Sequence, residues 1–168
     1  MPQANNIRQL CETAREQLKS AAGRIEAFLN HYSLPQLTEG QNEDLGLFYK
    51  GLLSDLRHLL VYCEDCYEKL GIVLRRGTFD EEAAEKALYH VYHDCVNNFF
   101  YPKNESYSED GRYAYTGQDA IRFRKKPSRP ARDAVLDITR AFEELRDDLT
   151  YYESDYLIQL RLNRAHSK

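Results

Sequence analysis

Apolar residues recur along this chain in alternating steps of four and three. In the first stretch Ile7, Cys11, Ala14, Leu18, Ala21, Ile25, Phe28 and Tyr32 keep that rhythm, a period that a strand cannot produce and a loop has no reason to hold. It predicts a helix from about Asn5 to Tyr32, closed by Pro35, which has no amide proton to continue it. A linker over Leu34–Gln41 follows. Asn42 is then a good N-cap, with Glu43 and Asp44 in the first turn where the helix dipole favours anions.

The second stripe runs through Leu45, Tyr49, Leu52, Leu56, Leu59, Cys63, Cys66, Leu70 and Val73, widened by Leu53, Leu60 and Tyr67. A stripe this wide implies more neighbours than the other helices have. Arg75, Arg76 and Gly77 supply cations and a stop at its end. Thr78 and Glu81 spell a capping box opening a third helix, whose core face reads Ala84, Leu88, Val91, Cys95 and Phe99 before Pro102. A fourth opens at Pro130 and continues through Ala134, Ile138, Phe142, Leu145, Leu149, Tyr152, Tyr156 and Leu160.

The predicted helices are therefore about 5–32, 43–74, 79–99 and 130–163, the long ones roughly 45 Å each at 1.5 Å per residue. With short first and second connections and a 4/3 spacing, the expected fold is all-α. It is one domain over 1–168, an antiparallel up-down-up-down four-helix bundle. Residues 100–129 break the pattern. A connection of about 30 residues carries function or its own small structure. Turn dipeptides at Asp110-Gly111 and Thr116-Gly117, with strand-like Arg112–Tyr115 and Ala120–Arg124, suggest a β-hairpin. The third helix is the shortest, so this insert covers the exposed end of the core. Its backbone is expected against Gly46 and Gly51, whose presence in a helix needs a packing reason.

Charge sharpens that picture. The chain carries 23 basic and 27 acidic residues. From Phe99 to Arg132, eight basic residues face four acidic ones; the remainder has 15 basic against 23 acidic. A basic, Tyr-rich insert on an acidic frame suggests an anionic ligand or an acidic protein segment. The candidate contacts are Arg112, Tyr115, Arg122 and Arg124. In a hairpin Arg122 and Arg124 share the outer face while Phe123 packs inward. Nucleic acid fits less well, because an acidic frame repels a long polyanion. The competing reading is a structural cap with incidental charge.

Residue types that often carry chemistry point elsewhere. Cys63-Glu-Asp-Cys66 has redox spelling but lies inside a helix, and Cys11 and Cys95 also face the core, so all four read as buried packing thiols. Levels along the axis put Cys95 roughly 8–12 Å beyond Cys11 and Cys66, too far for one metal. His90 and His93 are weak metal candidates, placed by a helical wheel on the solvent side with Glu82 and Lys86. No catalytic constellation is evident and no cofactor is expected; a metal-dependent enzyme is the rival reading. Tyr151, Ile158 and Leu162 form a second apolar stripe on the last helix, a candidate contact for a homodimer or a structural oligomer. No run of apolar residues is long enough to span a membrane and no secretory signal opens the chain, so the expected compartment is the cytoplasm with reduced thiols.

The stretches Tyr101-Pro-Lys-Asn and Glu109-Asp-Gly-Arg-Tyr-Ala-Tyr-Thr-Gly-Gln-Asp-Ala-Ile-Arg-Phe resemble the YpuI-like family of Bacillus-type bacteria. The resemblance implies a small bacterial cytosolic protein. It brings no catalytic or binding residues, since that family is functionally uncharacterised.

Overall fold

Helix α1 (Ala4–His31) buries the whole of the first stripe from Ile7 to Phe28. These coordinates are a computed structural model that describes residues 4–40, 42–109 and 121–167. The linker after α1 holds a short helix, α2 (Leu34–Thr38), nucleated by a capping box in which Ser33 and Gln36 exchange side-chain and backbone bonds. Pro35 sits in its first turn, the one place a helix tolerates it. Helix α3 (Glu43–Arg75) starts at Asn42, whose side chain accepts the Leu45 N–H at 2.9 Å.

The next helix begins differently from the Thr78 capping box. Asp80 is the cap, accepting the Ala83 N–H at 3.2 Å, and α4 runs Glu81–His90. It passes into a π-helical segment, Val91–Val96, and ends as α5 (Asn97–Phe100). The wider π turns change which side chains face inward. Tyr92, Val96 and Phe100 join Val91, Cys95 and Phe99 in the core.

The expected fourth helix, 130–163, is three pieces. Helix α6 (Arg129–Asp148) is capped by Ser128 and carries Pro130 in its first turn. A 3-10 turn, Thr150–Tyr152, follows, then α7 (Asp155–His166). Thr150 explains part of the break, because its hydroxyl bonds the carbonyls of Arg146 and Asp147 in competition with helical amides. The break lets Tyr152 and Tyr156 turn into the core, 1% and 7% exposed.

Helix α1 packs against α3, α4 and α6. It runs opposite to α3, with Arg8 over the Phe79 ring just beyond the far end of α3 and Arg15 over Tyr67. It also runs opposite to α6, with Gln17 bonded to Glu144 and Arg24 to the Asp137 carbonyl. Among the described residues the molecule is thus mainly helical, with one two-stranded sheet. Strands β1 (Tyr107–Glu109) and β2 (Ile121–Phe123) pair antiparallel, Tyr107 opposite Phe123 and Glu109 opposite Ile121. The first strand thus comes earlier than composition suggested; Arg112–Tyr115 lies outside the described residues.

Candidate functional site

The segment after α5 is fastened to α3 by a buried carboxylate. Asp55, 7% exposed, lies between Leu52 and Leu59 on the core side. Its Oδ1 accepts both the backbone N–H (3.0 Å) and the side-chain amide (2.8 Å) of Asn104, and its Oδ2 accepts the Ser106 hydroxyl at 2.8 Å. Between those partners Glu105 holds φ +50°, a left-handed conformation that costs about 1–2 kcal/mol for a residue with a Cβ. The carboxylate therefore stabilises a strained turn from both sides. Gly51, one turn earlier, admits it: a Cβ there would lie 3.2 Å from Asn104 Cβ. Gly46 faces Thr38 of α2 instead, so among the described residues only Gly51 of the two expected glycines meets the insert.

Two further ties complete the anchorage. The Ser128 N–H donates to the Tyr49 hydroxyl at 2.7 Å, fixing the start of α6 on α3. Arg146 of α6 donates to both Glu109 oxygens, at 3.1 and 2.9 Å, while its guanidinium lies 4.0 Å from the Phe100 ring centre. Beneath them Phe99 stacks on Phe142 at 4.5 Å, and Tyr107 packs on Phe99. Burial, with the Asp55 charge adding to it, pushes the Tyr107 hydroxyl well above the ordinary tyrosine range.

On this base β2 presents its residues in alternation: Ile121 buried, Arg122 exposed, Phe123 half-buried beside Tyr107. Arg124, Lys125 and Lys126 follow, all exposed, and Phe123, Pro127 and Arg132 join them around a shallow groove of about 390 Å³. Of the four expected anion contacts, Arg122 and Arg124 lie on this outer side. Arg112 and Tyr115 lie outside the described residues.

Of the two histidines, His93 is not on the solvent face, whereas His90 lines a surface groove with Glu82 and Lys86. His93 Nε2 lies 2.9 Å from the Tyr152 carbonyl, so Nε2 carries the proton and donates to it, while Nδ1 is 3.4 Å from the Asn97 amide. The straight helical wheel failed because the π segment rotates position 93 inward. His93 therefore braces a carbonyl released by the break after α6. His90 is half-buried and pairs with Asp94, Nδ1 to Oδ2 3.4 Å. Among the described residues no group of three or more His, Cys, Asp or Glu is placed to hold a metal ion.

The cysteine levels also need correcting. The neighbouring Cys63 and Cys66, together with burial, push the Cys95 thiol well up, which puts these residues in one neighbourhood of the core. Straight-helix arithmetic, which put Cys95 roughly 8–12 Å beyond Cys66, missed that neighbourhood. Cys11 is pushed up to about 12 by burial. All four are free and buried, which makes poor nucleophiles of them.

At the opposite end of the frame lies a groove of about 830 Å³ between α4 and α7. Tyr151, expected beside Ile158 and Leu162 on one helix, sits instead in the 3-10 turn and lines this groove. Ile158 and Leu162 stand about half exposed on α7, at 52% and 49%. Sequence reasoning missed both Asp55 and the groove. A carboxylate three residues after Leu52 and four before Leu59 was a readable signal for the first. The second depends on the break after Asp148, which no stripe announces.

A family model described as "Protein of unknown function (DUF3907)" matches residues 11–158. "Uncharacterized protein YpuI" of Bacillus subtilis (strain 168) is 32% identical over 148 residues, 88% of this chain and 82% of that protein. The likeness thus extends from the insert through the helices. No solved structure matches. Among the described residues no helix is long and apolar enough to cross a membrane.

Proposed function

Because the chain belongs to the DUF3907 family, whose description names no chemistry, we propose from its geometry that it is a non-enzymatic binding module of the cytoplasm. In this reading the frame is an up-down-up-down four-helix bundle, a topology supported by the antiparallel contacts of α1 with α3 and α6. The basic segment after β2 contacts an anionic group on a small molecule or an acidic protein segment.

The observation that carries the reading is the run Arg124, Lys125, Lys126: three successive exposed cations around one groove. They stand on a segment whose two feet are fixed to α3 through Asp55 and Tyr49. A fixed base lowers the ordering cost of presenting long cationic side chains. A thermal-shift screen of the full chain against pyrophosphate, nucleotides and a poly-glutamate peptide tests it. An anion at about 100 times its Kd stabilises the fold by roughly 2.7 kcal/mol. The combined variant Arg124→Ala, Lys125→Ala, Lys126→Ala loses that shift. An equal shift in both proteins removes the site. Ile158 and Leu162 are, in the same reading, where two copies meet; a chain that sediments as a monomer at high concentration removes that part.

A further inference from the structure

The groove between α4 and α7 has a composition unlike the rest of the surface. Three tyrosines line it, Tyr89, Tyr151 and Tyr156, with ring centres 5.7 Å apart for Tyr89–Tyr156 and 6.3 Å for Tyr151–Tyr156. Glu81, Glu82 and Glu85 line the α4 side, and Leu157 and Leu160 the α7 side. The acids have different explanations. Glu81 and Glu82 occupy the first turn of α4, where the dipole favours carboxylates, and need no ligand.

Glu85 lies beyond that first turn. It is half-buried, and among the described residues nothing donates a hydrogen bond to it and no cation pairs with it. Its charge reaches the tyrosines: burial pushes the hydroxyls of Tyr151 and Tyr156 up, and Glu85 adds to both. Lys86 and Arg164 line the groove as well, yet neither forms an ion pair with these glutamates. A carboxylate partly withdrawn from water, with no partner among the described residues, keeps room for a cation. Aromatic rings beside it are the setting in which an organic cation gains both a counter-charge and cation–π contact.

We propose that this groove is a binding site for a small organic polycation of the alkylammonium class, with one ammonium held between Glu85 and the tyrosine cluster and the alkyl chain along Leu157 and Leu160. The volume suits a chain of this size, because ligand pockets of about 300–1,000 Å³ take small molecules. Glu81 and Glu82 stand where a second ammonium would emerge. The site is independent of the basic segment after β2 and of opposite charge preference.

Isothermal titration of the full-length chain with spermidine is the test, with magnesium chloride as a cation that carries charge and no alkyl chain. Spermidine binds one per chain, Glu85→Gln weakens it roughly tenfold, and Tyr89→Leu does the same while Tyr89→Phe retains it. Circular dichroism melts establish that each variant is folded at the titration temperature. Three results overturn the proposal. Spermidine gives no heat at millimolar concentration; Glu85→Gln and Tyr89→Leu bind it like the wild type; or magnesium binds as tightly with the same sensitivity to Glu85→Gln.

Discussion

The two ends of the helical frame treat their acidic side chains in opposite ways. Where the chain leaves α5, Asp55 is buried and saturated by three donors, and Glu109 is gripped by Arg146. Where α7 leans over α4, Glu85 is only half-buried and has no donor among the described residues. Burial alone therefore does not separate a structural carboxylate from a ligand's counter-ion. The number of donors that meet it does. A saturated carboxylate has spent its capacity on the fold; an unsaturated one retains it.

If Asp55 is structural, removing it should have the largest effect. Asp55→Ala leaves the fully buried Ser106 hydroxyl and the Asn104 N–H without an acceptor and releases the strained turn at Glu105. A loss of about 3 kcal/mol is expected from hydrogen bonds to a charged group, with their buried donors left unpaired. Urea denaturation measures it, and limited proteolysis should show new cleavage within 101–109. A loss below about 0.5 kcal/mol would mean that the turn holds itself and that Asp55 belongs with Glu85 rather than opposite it.

A smaller effect separates two glycines. Gly23 on α1 has nothing within 4 Å of an added Cβ, so Gly23→Ala should stabilise by about 0.5–1 kcal/mol through helix propensity alone. Gly51 has the same propensity to gain, but its Cβ would press on Asn104 at 3.2 Å. Asn104 cannot give way without stretching its two bonds to Asp55. Gly51→Ala should therefore fall below Gly23→Ala by more than about 1 kcal/mol. Equal gains would show that the insert foot moves easily.

The same contrast explains what the sequence could convey. The stripe residues from Ile7 to Phe28 and the Asn42 cap were legible because each is a local rule: a period, or an oxygen three residues before an amide. Gly51 was legible as an anomaly, a glycine in a helix needing a neighbour. His93 and Tyr151 were misplaced because each position depends on a departure from the straight helix, at 91–96 or after 148. A π segment differs from an α-helix by one residue per turn, and no residue type in Val91–Val96 marks that on its own. The groove inherits this, since Glu85 and Tyr89 meet Tyr156 only because the chain bends there.

The least effect, and the one most specific to the open end, is a dependence on pH. Burial, with Glu81 adding its charge, raises the Glu85 carboxyl above the ordinary glutamate range. The folded state then binds this proton more readily than the unfolded state does. Its ionisation costs stability as pH rises from about 4.3, and the cost is complete once pH passes the folded value. Glu85→Gln should therefore raise the melting temperature at pH 7 and leave it unchanged near pH 4. Glu143 and Asp148 are raised by burial as well, so the wild type alone shows a composite trend. The difference between wild type and Glu85→Gln cancels those two and isolates the groove, where Glu81, Glu82, Lys86, His90, Arg164 and the tyrosines are the charged or titratable neighbours among the described residues. The shift will be small, because this side chain is only half-buried and solvent screens its charge, and it needs replicate melts at both pH values. A melting temperature lowered by Glu85→Gln at pH 7 would mean that the carboxylate has a stabilising partner after all. The contrast between the two ends would then fail on the side of the groove.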